Sequence, residues 1–383
     1  MNTITPGQRG ILDAEYPNWK NSELSAVEFM KKLELKKNTL TKTGTTRFVI
    51  SDNPETIGTP TDPKWSVQFS GGFATLWHDY LNDRNSVNYR VFVWHLNTTG
   101  KTLKYGITIG NGSNSTSTPG TIQVSNLKHS IVTTGYFIPH GICTAKSLLG
   151  NTLDDATPAN PSITAGNVGL VKEWTVPNGQ LIGGVVEFTL KNVTSPTAPM
   201  TFRLRSCVSD TATADLRLNQ TPVIAVRETH PRGSWNFADI QSTINFETGA
   251  LNSYKFYSFA NGTNDNLMKQ SGSYDSENSY GDNKGLYGVK NKINITFKNT
   301  STASRIIKVF LTSRVKPFGG ACQWNNNPTV GVPKLEMTSS TQDAVQVVSF
   351  TLAAGATATY PLTTSTAGSL SGPGVVAIQT LAP

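Results

Sequence analysis

Charge is scarce in this chain. Asp, Glu, Lys and Arg together make up 15% of its 383 residues, against about a quarter in ordinary soluble proteins. A surface solubilised mainly by ion pairs is therefore excluded, and abundant Ser, Thr, Asn and Gly must do that work. Cysteine is scarcer still: Cys143, Cys207 and Cys322 are odd in number and far apart. This excludes a disulfide framework or a paired-cysteine metal knuckle and leaves three small buried hydrophobes as the expectation. No apolar run approaches the length of about eighteen residues that crosses a bilayer. The segment from Met1 to Lys20 contains Pro6, Asp13, Glu15 and Pro17 and no apolar stretch, so it does not read as a secretory signal.

Chemistry-bearing motifs are missing too. There is no dinucleotide fingerprint, phosphate loop or nucleophile elbow, and Glu187, Asp239 and Glu277 have no spacing that would pair them as in a glycosidase. The net charge of +8 is spread thinly, its longest basic runs being Lys31-Lys32 and Lys36-Lys37. A nucleic-acid stripe needs clustered basic residues with interleaved aromatics, so neither nucleic acid nor membrane is an expected partner. An enzyme is not expected.

What the chain does have is one alternating unit written three times: Val91 to Thr99, Val186 to Thr194 and Ile293 to Ser301. Each copy is a strand ending in Asn (Asn97, Asn192, Asn299), then a Thr/Ser turn, then a second strand: Leu103 to Ile109, Met200 to Arg205, Arg305 to Thr312. Alternation over six or more residues marks a strand buried on one face, and the unit reads as an antiparallel hairpin. The fold class is all-β: two consecutive β-sandwich or jelly-roll-like domains with a short helical N-terminal arm. The expected divisions are an arm over 1–45, a first sandwich over 46–228 and a second over 229–383, changing over at Pro231-Arg232-Gly233. In the second, strands are expected near Leu251 to Phe259, Ile293 to Phe297, Arg305 to Thr312, Val345 to Leu352 and Val375 to Gln379. In the arm, Ser25-Ala26-Val27-Glu28 fits a capping box and a helix over about 26–34 follows.

At His230-Pro231-Arg232-Gly233-Ser234-Trp235-Asn236-Phe237-Ala238-Asp239 the chain resembles a known family. With Gly285-Leu286-Tyr287-Gly288-Val289 and Lys316-Pro317-Phe318-Gly319-Gly320-Ala321, these residues are similar to the C-terminal β-rich region of surface proteins of spore-forming Gram-positive bacteria. Those proteins are often labelled by an attached copper-amine-oxidase-type N-terminal domain. Arg90 to Asn97 and Tyr136-Phe137-Ile138-Pro139-His140-Gly141 stand where that family has its first strands and its linking segment. The resemblance spans roughly residues 70–325. It departs in lacking the attached domain and signal and in writing Pro317-Phe318-Gly319-Gly320 for the family's Pro-Arg-Gly-Gly turn. It implies a protein of the cell surface or spore surface, without oxidase chemistry.

Candidate sites follow from these readings. Trp77-His78-Asp79-Tyr80 with His95 suggests a metal pair, but the five histidines (His78, His95, His129, His140, His230) offer no third ligand at a fixed spacing. They read as structural, and neither metal nor cofactor is expected. Asp79, Asp83 and Asn85 lack the ladder of a calcium loop. Trp235, Tyr274, Tyr280, Tyr287 and Trp324 lie in or beside loops, where rings could cover the apolar face of a sugar; the alternative is that Trp235 and Trp324 plug the sandwich ends. Eight Asn-x-Ser/Thr tripeptides, at Asn97, Asn111, Asn114, Asn192, Asn219, Asn261, Asn294 and Asn299, are expected by chance in such a composition. The leading functional expectation is a non-enzymatic structural protein that polymerises with copies of itself into a fibre, layer or appendage by strand or arm exchange. Leu24, Val27, Phe29, Met30 and Leu33 would be the docking face, and Phe48, Val49 and Ile50 a donated strand. Alternatives are a carbohydrate-binding module for cell-wall or spore-surface glycans, or a viral jelly-roll shell protein.

Overall fold

The computed structural model describes residues 24–25, 40–112, 120–225, 228–262, 265–314, 316–337, 341–368, 370 and 372–383. Strands run from β1 (Leu24–Ser25), β2 (Leu40–Thr43), β3 (Arg47–Ser51) and β4 (Thr56–Ile57) to β5 (Phe73–Arg84), β6 (Ser86–Asn97) and β7 (Leu103–Asn111). After β8 (Ile122–His129) and β9 (Val132–Thr134) comes a helix, α1 (Phe137–Gly150). β10 (Asp154–Asp155), β11 (Ser162–Ile163), β12 (Val168–Val176), β13 (Leu181–Asn192), β14 (Met200–Ser209) and β15 (Arg232–Trp235) follow. The remainder comprises β16 (Asp239–Glu247), β17 (Tyr254–Phe259), β18 (Lys290–Lys298), β19 (Arg305–Ser313) and β20 (Phe318–Trp324). It closes with β21 (Val330–Leu335), β22 (Thr341–Gln342), β23 (Ala344–Leu352), β24 (Thr357–Thr366) and β25 (Gly374–Leu381).

Two sandwiches result, as the alternation predicts. In the first, a nine-stranded sheet with the path β10-β8-β13-β6-β3-β15 covers a four-stranded sheet ordered β12-β7-β14-β5. Val91, Val93, Val186 and Phe188 from one sheet meet Tyr105, Ile107, Phe202 and Leu204 from the other. In the second, a six-stranded sheet (β2-β16-β18-β24-β20-β21) covers a four-stranded one (β17-β25-β19-β23), and Ile293, Ile295 and Phe297 meet Ile307, Val309 and Ile378.

The thrice-written unit is not a hairpin. β6 and β13 belong to the nine-stranded sheet while β7 and β14 belong to the sheet facing it, and β18 and β19 are divided in the same way. Each unit is an arch that carries the chain across the sandwich, and its Asn explains why. Asn97, Asn192 and Asn299 are fully buried. The Asn97 amide donates to Lys101 O and across the layers to Val176 O, while its Oδ1 accepts from the backbone and hydroxyl of Thr99. Asn299 repeats the pattern, donating to Ala303 O and Leu352 O and accepting twice from Ser301. A hairpin turn would satisfy its own backbone. An arch leaves polar groups facing the core's end, and one carboxamide satisfies several of them.

The first sandwich's large sheet is buried on both faces along its middle strands, β3 and most of β6. Phe92 and Trp94 point away from Val91 and Val93 and join a core shared with the second sandwich, together with Phe48, Ile50, Leu181 and Val185. Phe92 stacks on Trp94 at 5.9 Å and on Tyr287 at 5.9 Å. Gly288 makes that approach possible: its φ is +71°, and a Cβ there would stand 2.9 Å from the Phe92 Cβ. α1 wedges into the same seam, burying His140, Ile142, Ala145, Leu148 and Leu149. Its first residues, Phe137 to Gly141, are those that the family resemblance puts in a linking segment. Pro139 sits in its first turn, where a missing N–H costs nothing.

A two-stranded ribbon also crosses the seam. β2 pairs with β16 in the second sandwich, and only residues 44–46 separate it from β3 in the first. Alongside, β15 pairs with β3, and residues 236–238 lead to β16. β15, which contains Arg232 and Gly233 of the expected boundary, is thus part of the first sandwich's sheet. Arg47 sits at the crossing with its guanidinium on Asp79 and on Asn236 Oδ1, and Tyr89 donates to the same carboxylate at 2.7 Å.

Two outcomes are expected from this seam. Because the sandwiches share an apolar layer, wild-type protein should unfold in urea as one transition, and Trp94→Ala should lower its stability by about 3–5 kcal/mol. Two separated transitions in circular dichroism would refute the shared layer. The second concerns His140, whose Nε2 donates to Gly183 O at 2.7 Å and whose ring stacks on Trp94 at 5.8 Å. Burial holds this imidazole down to about 4, below its ordinary 6.5, although the bond to Gly183 opposes the shift. Between pH 6.5 and 4 the unfolded chain takes up a proton that the folded chain refuses, so this group's contribution to stability is lost as pH falls through that window. In His140→Gln the fall in unfolding free energy from pH 7 to pH 4 should be smaller than in wild type by about 3 kcal/mol. Equal slopes in denaturation series at matched ionic strength would contradict the buried neutral imidazole.

Candidate functional site

The histidines do not converge. His95 is fully buried, its Nδ1 donating to Pro54 O at 2.7 Å and its Nε2 accepting from Ser51 Oγ at 2.9 Å. From Ser51 the chain of bonds continues to Ser206 Oγ at 2.7 Å and to the Tyr105 hydroxyl at 2.8 Å. By distance alone Ser51 and His95 look like a nucleophile and its base. Both are enclosed, and burial holds His95 down to about 4, so no substrate reaches them without displacing the core. His78, on the neighbouring sheet, bonds Asp275 Oδ2 at 3.0 Å instead of facing His95. His129 lies edge-on to Trp174. His230 Nδ1 bonds Glu228 at 2.8 Å and its Nε2 lies 3.3 Å from Glu55, which together outweigh burial and raise its pKa. Asp52 is pushed well above the carboxylate range by burial first, then by Glu55 and Glu228. Among the described residues no group of three or more His, Cys, Asp or Glu could hold a metal ion. Burial pushes Cys207 up to about 11 and Cys322 up to about 12.

The five loop aromatics divide. Trp235, Tyr287 and Trp324 are buried: Trp235 donates to Lys269 O at 3.0 Å, Tyr287 lies under Phe92, and Trp324 packs against Phe297 and Tyr360. For these three the core reading holds, and a sugar-stacking role is ruled out by enclosure. Tyr274 and Tyr280 are half-buried. Both lie on the Gly-rich loop after β17, which is ordered where it is described because it docks on the edge of the first sandwich. Arg232 and Tyr280 exchange backbone bonds at 2.8 and 3.0 Å, and Tyr274 N donates to Ser234 O at 2.9 Å. On its outer side the loop makes an open depression of about 650 Å³ lined by Asn266, Lys269, Gln270, Asp282 and Lys284.

The arm expectation needs correction. Leu24 lies in β1, which pairs with β22 of its own chain. Val27, Phe29, Met30 and Leu33, with the expected helix, lie outside the described residues. Phe48, Val49 and Ile50 are fully buried in β3, held between β6 and β15. A strand with both neighbours in place and both faces covered is not free to be donated.

The outer edges of the sheets are more informative. An open edge presents unpaired backbone groups, and stable proteins protect it with charge, proline, brevity or a covering loop. β10 and β11 have two residues each, and β15 lies under the Tyr274–Tyr280 loop. β12 carries Lys172 and Glu173, and its Leu170 and Val171 carbonyls accept from Asn160 and Ala159. On β5, Thr75 O accepts from Ile224, and the strand ends in Asp83 and Arg84. β2 has Lys42, β17 Lys255, and β21 Pro333 and Lys334. Among the described residues β23 has none of these devices. Its sequence, Ala-Val-Gln-Val-Val-Ser-Phe-Thr-Leu, contains no charge, proline or glycine, and β19 is its one strand partner among the described residues. One bulge interrupts that ladder at Val309/Phe310, leaving Val348 to Leu352 in regular register. Gln346, Ser349 and Thr351 are exposed.

No protein-family model and no curated protein matches the chain. Among solved structures it is similar to Lac15 from a marine microbial metagenome at 8% identity and a TM-score of 0.12, covering 74% of this chain and 51% of that one. The chain thus spans about half of that protein's length. The CUB1-EGF-CUB2 domain of human MASP-1/3 aligns at 7% identity over 81% of this chain and 99% of that one, with a TM-score of 0.18. The PBSX exported protein XepA aligns at 9% over 82% and 89%, with a TM-score of 0.17. Likeness this weak carries no argument about what the chain does.

Proposed function

We propose that the protein is a non-enzymatic structural protein of a bacterial cell or spore surface that associates with copies of itself, and that the contact is edge-to-edge pairing of β23. The observation that carries this reading is the undefended edge just described. Among the described residues every other outer strand of the two sandwiches bears a charge or proline, is very short, or is covered. A long edge left bare is tolerated where a partner covers it. A second copy fits, because antiparallel pairing of a strand with itself is self-complementary about a two-fold axis. It joins two four-stranded sheets into one continuous layer, with main-chain bonds supplying affinity and alternate side chains supplying register. Val347, Val348 and Phe350 are half-buried against their own core, and burying their exposed remainder adds apolar area. Arm exchange is not needed. The dimer formed this way is the building unit of a fibre or layer.

Sedimentation velocity over a dilution series tests the reading. Wild type should shift from monomer to dimer or larger species with rising concentration. Ser349→Lys and Thr351→Lys, which place charges on the bare edge at exposed positions, should remain monomeric at the same concentrations with unchanged circular dichroism. A wild type that stays monomeric up to its solubility limit, or lysine variants that associate as wild type does, would sink the proposal.

A further inference from the structure

The outer face of the first sandwich's four-stranded sheet carries two arginines that no carboxylate among the described residues pairs. Alternation along β14 turns Arg203 and Arg205 outward. The register sets Arg203 between Tyr80 of β5 and Gly110 of β7, and Arg205 between His78 and Thr108. Arg205 is only 6% exposed. Its one described hydrogen bond is a long one, from Nη2 to Gln220 Oε1 at 3.3 Å, and its Nε has no partner. Asp275, the carboxylate that the loop brings to this face, is committed to His78 and Asn278.

Two other enclosed arginines differ: Arg47 is neutralised by Asp79, and Arg90 by Glu187 and Asp239. Taking a guanidinium out of water without a counter-charge is costly, and both burial and the nearby Arg203 work against the charge on Arg205. Aromatic surface adjoins the cations. The Arg203 guanidinium lies 5.8 Å from the Tyr80 ring centre, and Tyr274 packs against Tyr80 and His78 at 6.4 Å each. A planar fork of N–H donors matches carboxylate and phosphate oxygens, and a half-exposed tyrosine pair offers a flat apolar patch for a sugar ring.

We infer that this face binds a sugar chain bearing oxyanions, with a carboxylate or phosphate group seated on Arg205 and Arg203 and a ring lying against Tyr80 and Tyr274. The site lies on the first sandwich and is independent of β23 in the second, so assembly and binding stand or fall separately.

Calorimetric titration of the full chain with three probes tests it: an oligouronate for carboxylate, a sugar-phosphate oligomer for phosphate, and a neutral dextran of similar length. At least one anionic probe should bind and dextran should not, and which anion binds identifies the group recognised. Arg205→Gln should weaken binding by about tenfold or more, the loss expected for a charge-assisted bond. Because Arg205 is enclosed, Arg203→Ala at an exposed position supplies an independent arm and should also weaken binding, whereas Lys191→Gln, on an exposed site of β13, should not. Dextran binding as tightly as the anions, no binding of either anion, undiminished affinity in both arginine variants, or an equal loss in Lys191→Gln would each overturn the inference.

Discussion

The arrangement depends on one sheet being covered twice. Val91 and Val93 face one core, while Phe92 and Trp94 face another, so the nine-stranded sheet is a middle layer and both sandwiches are built outward from it. Apolar area on the second face is what makes a helix wedge, a close glycine turn at Gly288 and a crossing ribbon worthwhile. Without this shared apolar layer, to which Phe48, Phe92 and Trp94 contribute the rings, the sandwiches would meet through polar contacts, an arrangement that permits relative motion. Arg90 shows how the rim of the layer is finished. It spans from its own strand to Asp239 and to the Ala238 carbonyl on the second sandwich, while Glu187 takes its Nε.

Strand identity was largely legible, because period-two alternation reports burial of one face whatever the partner. Pairing was not. The copies ending at Asn97, Asn192 and Asn299 contain nothing in their alternation to distinguish a hairpin from an arch, since both need a polar turn between apolar strands. Some of the Asn-x-Thr and Asn-x-Ser tripeptides, which composition alone explains in number, nonetheless carry structure. Asn97, Asn219 and Asn299 use the hydroxyl residue two places on to lock the carboxamide, so at these positions the tripeptide is structural grammar. α1 was missed for another reason: Gly141, Thr144 and Ser147 weaken its propensity, and it is held by packing on both sides.

The candidate surfaces were less legible still. Loop aromatics could be named, but whether a ring faces solvent depends on contacts made from distant sequence: Trp235 and Tyr287 are enclosed by the seam, whereas Tyr274 stays half-open beside Tyr80. The arginine pair was invisible because Arg203 and Arg205 look like any outward positions of a strand. Their significance comes from the lack, among the described residues, of an acid bonded to either guanidinium, which only three-dimensional placement reveals. β23 posed the same difficulty, since a bare edge is defined by what fails to pair with it, and its uncharged sequence resembles any interior strand.

The ribbon formed by β2–β3 against β16–β15 has a mechanical meaning for a protein proposed to serve in a surface array. A flexible tether between two bodies lets each swing, so a pull on one end is dissipated in reorientation before the other feels it. Here the connection is two chains laced together by backbone bonds and backed by aromatic rings. Traction entering through one sandwich passes to the other as shear along a ladder whose rungs must yield together, so the molecule behaves as a single stiff strut.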